Sequence, residues 1–197
     1  MGSNPLAEAS DEPPGALRVR AFFGLPVPEA QRSTLDAYLA QCAGRAPEFR
    51  WTPAANLHLT VRFLGQLELA LAQRIADRLV DADLGAFQLK LGDVGAFKRG
   101  RLARVVWLGL AEGSSESVQL AAAVESECVR ASLTPETRPF SPHLTLARSK
   151  ARDGSPLPEL PPAPRIDAWR ASELILYQSR LGRAGAVYQP LRSITLR

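Results

Sequence analysis

Residues 56–65 have the sequence NLHLTVRFLG, and residues 141–148 have the sequence SPHLTLAR. Each stretch contains the tripeptide His-Leu-Thr, and the two histidines concerned, His58 and His143, are the only histidines of the chain. Imidazole is the side chain whose ordinary pKa lies nearest neutrality, so two of them can supply an acid and a base at physiological pH. The repeated tripeptide therefore indicates two equivalent imidazoles that serve one site.

The first stretch alternates between polar and apolar residues, which is typical of a β-strand because successive side chains point to opposite faces. It predicts a strand over residues 58–64 that ends at Gly65. Three polar side chains would share one face of this strand: His58, Thr60 and Arg62. Three apolar side chains on the other face would point to the core: Leu59, Val61 and Phe63.

The second stretch predicts a matching strand over residues 143–148. His143 and Thr145 would share its polar face, opposite Leu144 and Leu146. If the two halves of the chain are related by a pseudo-twofold axis, both His-Thr pairs face one cleft. There, two hydroxyls could donate to the oxygens of a phosphoryl group. One imidazole would take a proton from the attacking oxygen and the other would give one to the leaving oxygen.

The charge balance favours an anionic partner only mildly. Lys and Arg number 24 against 20 Asp and Glu, which gives a net charge of +4 and a pI near 9.5. Arg148, just past the second tripeptide, could neutralise charge on phosphoryl oxygens. Arg62 is either a solvated strand residue or a second phosphate contact. The turn Lys98-Arg99-Gly100-Arg101 is either a solvated hairpin or a contact to an RNA backbone.

The rest of the chain predicts an α+β domain, because strands and helices do not strictly alternate. Further strands are expected over residues 17–25, 87–94, 104–110, 172–178 and 188–196. Helices are expected around residues 35–42, 67–79 and 114–132, and the five prolines of residues 153–165 predict a loop. Residues 17–197 are expected to form one domain of two lobes, and residues 1–16 a disordered leader.

Cys42 and Cys128 fall in separate helical patterns, which favours buried, reduced thiols and a cytoplasmic location. Residues 1–16 lack the apolar region of a signal peptide, and no apolar run reaches membrane-spanning length. A zinc site is the rival use of two histidines. It would need further ligands, and the chain has no H-x-H, H-E-x-x-H or C-x-x-C. We therefore expect neither a metal nor a cofactor.

LHLTVRFLG and PHLTLAR resemble the paired H-x-T-x signatures of the two-histidine phosphoesterase superfamily. Within it they are most similar to the bacterial RNA 2′,3′-cyclic phosphodiesterases, also named 2′-5′ RNA ligases. The resemblance runs from about Leu17 to the C-terminus, and the blocks RVRAFFGLPVP, RVVWLGL and LYQSRLGRAGAVYQPL occur in the family's order. One residue departs from the family pattern: Arg62 occupies a position that is usually apolar or small.

The resemblance implies a bilobal, pseudo-twofold fold with two antiparallel β-sheets, helices outside them and a central cleft that holds both histidines. It also implies a role for each motif residue. His58 is the proton donor, and His143 is the proton acceptor that activates water. Thr60 and Thr145 hold phosphoryl oxygens, and Arg148 binds substrate.

We therefore expect a metal-independent hydrolase that opens an RNA 2′,3′-cyclic phosphate to a 2′-phosphate. It would act as a monomer on RNA ends and not at a membrane. Three alternatives stay open: 2′-5′ ligation of RNA ends by the same site, hydrolysis of a cyclic phosphate in a small nucleotide-derived molecule, and RNA-end binding without turnover. Two intact histidines argue against the last, because a binding module has no need of both.

Overall fold

Nine β-strands, three α-helices and one 3₁₀ turn form residues 17–182 and 185–197, the parts of the chain that the computed structural model describes. The strands are β1 Arg18–Pro26, β2 Phe49–Trp51, β3 His58–Glu68, β4 Phe87–Arg99, β5 Leu102–Glu112, β6 Leu144–Ser149, β7 Trp169–Ala171, β8 Glu173–Gly182 and β9 Gly185–Thr195. The helices are α1 Glu29–Arg45, α2 Leu69–Asp81 and α3 Ser114–Arg130, and the 3₁₀ turn is Ala54–Asn56. The leader predicted over residues 1–16 lies outside the described residues. None of the described helices is long and apolar enough to cross a membrane.

Every strand pairing within the described residues is antiparallel. The strands follow the order β7-β4-β5-β6-β3-β1-β8-β9, with β2 beside β6. The order divides into two halves between β6 and β3, where the halves meet through one residue pair, Leu59 with Leu144. This arrangement confirms the predicted α+β fold of two antiparallel sheets. Because Leu59 and Leu144 are the central residues of the two tripeptides, their antiparallel pairing relates the tripeptides by a local twofold axis.

The helices bury the apolar sides of the two halves. α2 packs on β1, β3 and β9, α3 packs on β3 and α2, and α1 packs on β2 and the 3₁₀ turn. The predicted inward residues of α1 are buried: Leu35, Tyr38, Leu39 and Cys42. The predicted inward residues of α3 are buried too: Ala121, Val124 and Cys128. Both cysteines are free and buried, as the sequence predicts.

Three predicted boundaries are wrong because strand pairing continues beyond the apolar stretches. β3 does not end at Gly65 but runs to Glu68, and Gly65 lies inside it with a φ of +72°, which glycine adopts without strain. Leu67 consequently belongs to β3 and not to the ridge of α2. β4 and β5 continue to a two-residue turn at residues 100–101, so Lys98 and Arg99 are strand residues.

One extra residue interrupts each motif strand at the equivalent place. In β3, Arg62 pairs with Phe23 and Thr60 pairs with Gly24, so Val61 is inserted between the two paired residues. In β6, Ala147 pairs with Val106 and Thr145 pairs with Trp107, so Leu146 is inserted in the same way. Each insertion is a β-bulge one residue after the threonine of the motif.

The two bulges reverse the alternation of side chains beyond them. In β6, Leu146 and Ala147 are both fully buried, and Arg148 therefore turns to the cleft side with His143 and Thr145. In β3 the equivalent residue is Phe63, which lines the cleft and is 49% exposed. The prediction that Phe63 points to the core is wrong for this reason. The prediction that Arg62 shares the face of His58 and Thr60 is wrong as well, because beyond the bulge Arg62 lies opposite the buried Phe23.

Candidate active site

The two His-Leu-Thr tripeptides lie side by side where the half-sheets meet. Leu59 and Leu144 are buried in the core, which leaves the polar side chains of both tripeptides on the opposite face. In an antiparallel pair, the residue after one partner lies beside the residue before the other, so Thr60 is next to His143 and His58 is next to Thr145. A cleft of about 750 Å³ opens on this face, and Thr60, His143 and Thr145 line it.

Both imidazoles are held by the backbone in the same way. Nδ1 of His58 lies 2.8 Å from the carbonyl oxygen of Asn56, and Nδ1 of His143 lies 2.7 Å from that of Ser141. A carbonyl only accepts hydrogen bonds, so Nδ1 carries the proton in both rings and Nε2 is free to take or give one. In His58 this Nε2 lies 3.0 Å from Oγ1 of Thr60, whose hydroxyl donates to the neutral ring.

The surroundings of the two rings differ although their backbone contacts match. The ring of His58 is enclosed by Phe22, at 4.6 Å between ring centres, and by Tyr188, at 5.0 Å. Gly24 makes room for it, since a Cβ there would lie 3.2 Å from Cδ2 of His58. The ring of His143 stands edge-on to Phe97, at 5.0 Å, and faces the open cleft. His58 is thus the enclosed imidazole and His143 the accessible one.

Burial sets the protonation of both histidines. It lowers the pKa of His58 to about 4, against a smaller raising effect of the hydrogen bond to Asn56. Burial also lowers the pKa of His143, opposed by the hydrogen bond to Ser141. The positive charge of Arg148 lowers the pKa of both further. Both rings are therefore neutral at pH 7 in the free protein, and an anion in the cleft would raise both pKa values.

Arg148 is exposed on the cleft face of β6, beyond the bulge at Leu146. Its influence on the pKa of His58 and of His143 shows that its charge reaches both rings. The bulge explains how a residue three positions after Thr145 returns to the same face, which simple alternation would not allow. A guanidinium in this place can bind a phosphoryl oxygen between the two imidazoles.

Arg62 lies in the wall of the cleft and is already engaged by α3 and the segment after it. Its guanidinium forms an ion pair with Glu125 and donates to the carbonyl oxygen of Thr134 at 2.8 Å. A carboxylate oxygen of Glu136 lies 3.8 Å away, and the backbone N–H of Glu136 donates to Glu125 at 2.8 Å. These contacts tie β3 and α3 to residues 131–142, which lead into His143. The phosphate contact suggested for Arg62 stays a prediction.

The basic residues of the β4–β5 hairpin lie outside the cleft lining. Arg99 forms an exposed ion pair with Asp153 at 2.9 Å, while Lys98 and Arg101 are exposed. An RNA contact by these three residues remains a prediction. Within the described ranges, no three His, Cys, Asp or Glu side chains are grouped so that they could hold a metal ion.

Several cleft residues are not predicted by the sequence. Arg138, Phe97 and Phe140 line the cleft with the motif residues. Arg138 and Phe140 reach it because the segment between α3 and β6 crosses its mouth, and Phe97 because β4 extends beyond residue 94. None of the three lies in the same alternating stretch as a motif histidine. The local sequence pattern therefore does not predict that they line the cleft.

The fold and the site together define the class of the two-histidine phosphoesterases, in which each half of the molecule contributes one H-x-T-x element. The chain belongs to the 2′-5′ RNA ligase superfamily, whose family model matches residues 26–183. This membership confirms the resemblance seen in the sequence.

Relatives of known name are similar along most of the chain. The RNA 2′,3′-cyclic phosphodiesterase of Escherichia coli K12 is 32% identical over 174 residues, which cover 88% of this chain and 94% of that protein. The protein of the same name from Thermus thermophilus is 33% identical over 196 residues and 91% of each chain. The solved structure of E. coli LigT complexed with 3′-AMP has a TM-score of 0.78 and 29% identity, and the match covers 91% of this chain and 99% of that one.

Proposed function

We propose that this chain is an RNA 2′,3′-cyclic phosphodiesterase, a metal-independent hydrolase that converts a cyclic phosphate end to a 2′-phosphate. The observation that carries the proposal is the antiparallel pair of Leu59 and Leu144, which sets two His-Thr elements around one cleft. Each imidazole is oriented through Nδ1 so that Nε2 is available for proton transfer. The relatives named RNA 2′,3′-cyclic phosphodiesterase support the same substrate.

In the proposed reaction, Nε2 of neutral His143 removes a proton from water, and the water oxygen forms a bond to phosphorus. The bond between phosphorus and the 3′ oxygen breaks, and protonated His58 gives its Nε2 proton to that oxygen. The products are a 3′ hydroxyl and a 2′-phosphate. His143 is left protonated and His58 neutral, and exchange with solvent restores the starting states. The accessible position of His143 suits the activation of water, and its lowered pKa keeps it neutral.

The remaining motif residues bind the phosphoryl group. Thr60 turns its hydroxyl from Nε2 of His58 to a non-bridging oxygen when substrate binds, and the hydroxyl of Thr145 donates to the other. Arg148 balances the negative charge that grows on these oxygens. His58 has too low a pKa to be protonated at pH 7 in the free protein. The anionic substrate would raise that pKa, so His58 becomes the acid only when there is a phosphate to act on.

The test is end-group analysis of an RNA oligomer with a 2′,3′-cyclic phosphate, incubated with the protein in excess EDTA. We expect a 2′-phosphate product at the rate seen without chelator. A 3′-phosphate product would contradict the stated bond cleavage. Loss of activity in EDTA that zinc or manganese restores would favour the metal site. Addition of RNA with a 5′-hydroxyl end tests the second candidate, 2′-5′ ligation, which the family name favours.

The proposal includes a cytoplasmic location and action as a monomer. The free and buried thiols of Cys42 and Cys128 support a reducing compartment. Both His-Leu-Thr tripeptides belong to one chain and pair within it, which supports action by a single copy. Sedimentation at the concentration used for turnover tests the monomer, and cell fractionation tests the location.

A further inference from the structure

Arg50 of β2 and Arg148 of β6 are direct cross-strand partners. Directly opposed residues of an antiparallel pair have their side chains on the same face, with Cβ atoms about 5 Å apart. Burial shows which face this is. Phe49 is buried and Trp51 packs against the core, whereas Arg50 between them is exposed. Arg50 therefore shares the outer face of the sheet with Arg148, which lines the cleft.

This pair of like charges has no compensating carboxylate among the described residues. The ion pairs of residues 17–182 and 185–197 include neither arginine. Like charges placed directly opposite each other on a sheet destabilise it. Anionic groups bound by both guanidinium groups would offset that repulsion, and phosphate oxygens match the fork of a guanidinium.

The position of Arg50 relative to the motif residues indicates which phosphate Arg50 would contact. Arg148 follows Thr145 by three residues, and strands rise by about 3.3 Å per residue, so Arg50 lies about 10 Å or less along β6 from the motif threonine. Arg50 does not line the cleft beside His143, Thr145 and Arg148, and its charge is not among those that shift the pKa of either histidine. It is thus outside the reacting phosphate's site but within one nucleotide of it.

We propose that Arg50, beside Arg148, binds the phosphodiester on the 5′ side of the terminal nucleotide, so that the site recognises an RNA strand and not only a cyclic nucleotide. This inference rests on the proposed function, because it takes the cyclic phosphate to occupy the cleft between the two histidines. Arg148 then contacts the reacting phosphate, and Arg50 contacts the next one along the chain. In this proposal Arg50 determines the preference for an RNA strand over a mononucleotide and takes no part in proton transfer.

The experiment compares two substrates, cytidine 2′,3′-cyclic phosphate and a dinucleotide that ends in the same cyclic phosphate. Arg50→Gln should lower the ratio of kcat/KM for the dinucleotide over the mononucleotide about fivefold to tenfold. Arg50→Lys should restore much of the ratio because the charge returns. In a longer oligonucleotide, Arg50→Gln should also flatten the log–log salt dependence of binding by about 0.7 of a unit.

Arg170→Gln is the matched control. Arg170 is also the exposed middle residue of a three-residue strand, β7, but it pairs with Gln88 of β4 at the end of the strand order, whereas β2 lies beside β6. The control should leave the substrate ratio at the wild-type value. Removing the repulsion between Arg50 and Arg148 should raise the thermal midpoint of Arg50→Gln by about 1–3 °C without phosphate, which excludes unfolding as the cause of the lost ratio.

The outcomes separate this inference from the proposed function. If the wild-type protein hydrolyses neither substrate, the proposed function fails. If it hydrolyses both and Arg50→Gln leaves the ratio unchanged, the inference fails and the function stands. Equal losses on both substrates would also overturn the inference, because Arg50 would then act at the reacting phosphate. If Arg138→Gln changes the ratio and Arg50→Gln does not, the inference fails, and the RNA strand runs along the wall of the cleft that contains Arg138.

Discussion

Leu59 of β3 pairs with Leu144 of β6, and through this pair the two His-Leu-Thr tripeptides run antiparallel beside each other. The two leucines lie 85 positions apart in the chain, yet they are equivalent members of their motifs. Because both leucines are buried, the histidine and threonine of each tripeptide lie on the same side of the sheet. The bulges at Val61 and Leu146 also occupy equivalent positions, one residue after each motif threonine. Two distant copies of one short sequence thus lie side by side on one face.

Replacement of either histidine should remove most of the turnover. His58→Ala and His143→Ala should each lower kcat for a cyclic phosphate by about 10²-fold or more, because a proton transfer is lost. The double variant should be little worse than the worse single variant, since the two groups act as a unit. Steady-state kinetics gives the rates, and circular dichroism checks the fold. Full activity in either single variant would rule out the paired mechanism.

The pH dependence of turnover should differ between the free protein and the complex. Burial lowers the pKa of both histidines, so the singly protonated pair of the free protein exists below about pH 6.5, the ordinary value. The basic limb of kcat/KM reports the free protein and should lie on the acid side of that value. The bound anion raises both pKa values, so the basic limb of kcat should lie at higher pH.

Rates measured from about pH 4 to about pH 9 at low and at saturating substrate check this order. Each limb belongs to the coupled pair and not to one residue. A flat profile over the whole range would contradict acid–base catalysis by the histidines, and limbs in the reverse order would contradict the effect of the substrate on their pKa values.

Loss of the guanidinium at position 148 should have two separate effects. Arg148→Gln should lower kcat/KM for a cyclic mononucleotide about tenfold or more, since the lost contact is to the reacting phosphate. It should also raise the pKa of His58 and of His143, because the positive charge that lowers both is gone. Histidine titration by NMR in the unliganded protein measures the second effect without any turnover. If the rate is unchanged, Arg148 does not contact the reacting phosphate, and Arg62 is the next arginine to test for that contact.

Arg62→Met should destabilise the wall of the cleft. It leaves Glu125 without its ion-pair partner and frees the carbonyl oxygen of Thr134, at a cost of about 1–3 kcal/mol in the free energy of unfolding. Amide hydrogen exchange should become faster over residues 131–142, and kcat should fall because this segment orients His143 through Ser141. Urea denaturation measures the stability. If stability and hydrogen exchange are unchanged but KM rises, the main role of Arg62 is to bind substrate and not to hold β3, α3 and residues 131–142 together.

Much of the fold and the motif part of the site can be predicted from the sequence because both depend on local patterns. Alternation places His58 and Thr60 on one face, and helical spacing places the buried side of α1, including Cys42. The short strands β2 and β7 are not predicted, since three residues are too few to show a period. They exist because a longer neighbouring strand offers them hydrogen bonds.

The bulges are beyond the reach of sequence patterns for a related reason. An inserted residue such as Val61 or Leu146 looks like any other apolar strand residue, and only the register with the neighbouring strand reveals it. As a result, simple alternation misses the outward turn of Phe63 and assigns Arg148 to the wrong face. The pairing of Arg50 with Arg148 depends on the same register, so no local pattern could indicate it.

The twofold relation of the two motifs has a consequence for the direction of the chemistry. By microscopic reversibility, the group that donates a proton when a bond breaks accepts it when that bond forms. In the proposed reaction each side of the phosphorus meets the same His-Thr element, so both directions would encounter the same groups with their roles exchanged. What tells the ribose oxygen from the attacking water is then the environment beyond the motifs, the aromatic rings around His58 on one side and Phe97 beside His143 on the other. The aromatic residues around the two imidazoles, and not the imidazoles themselves, are thus where the two halves of the site differ.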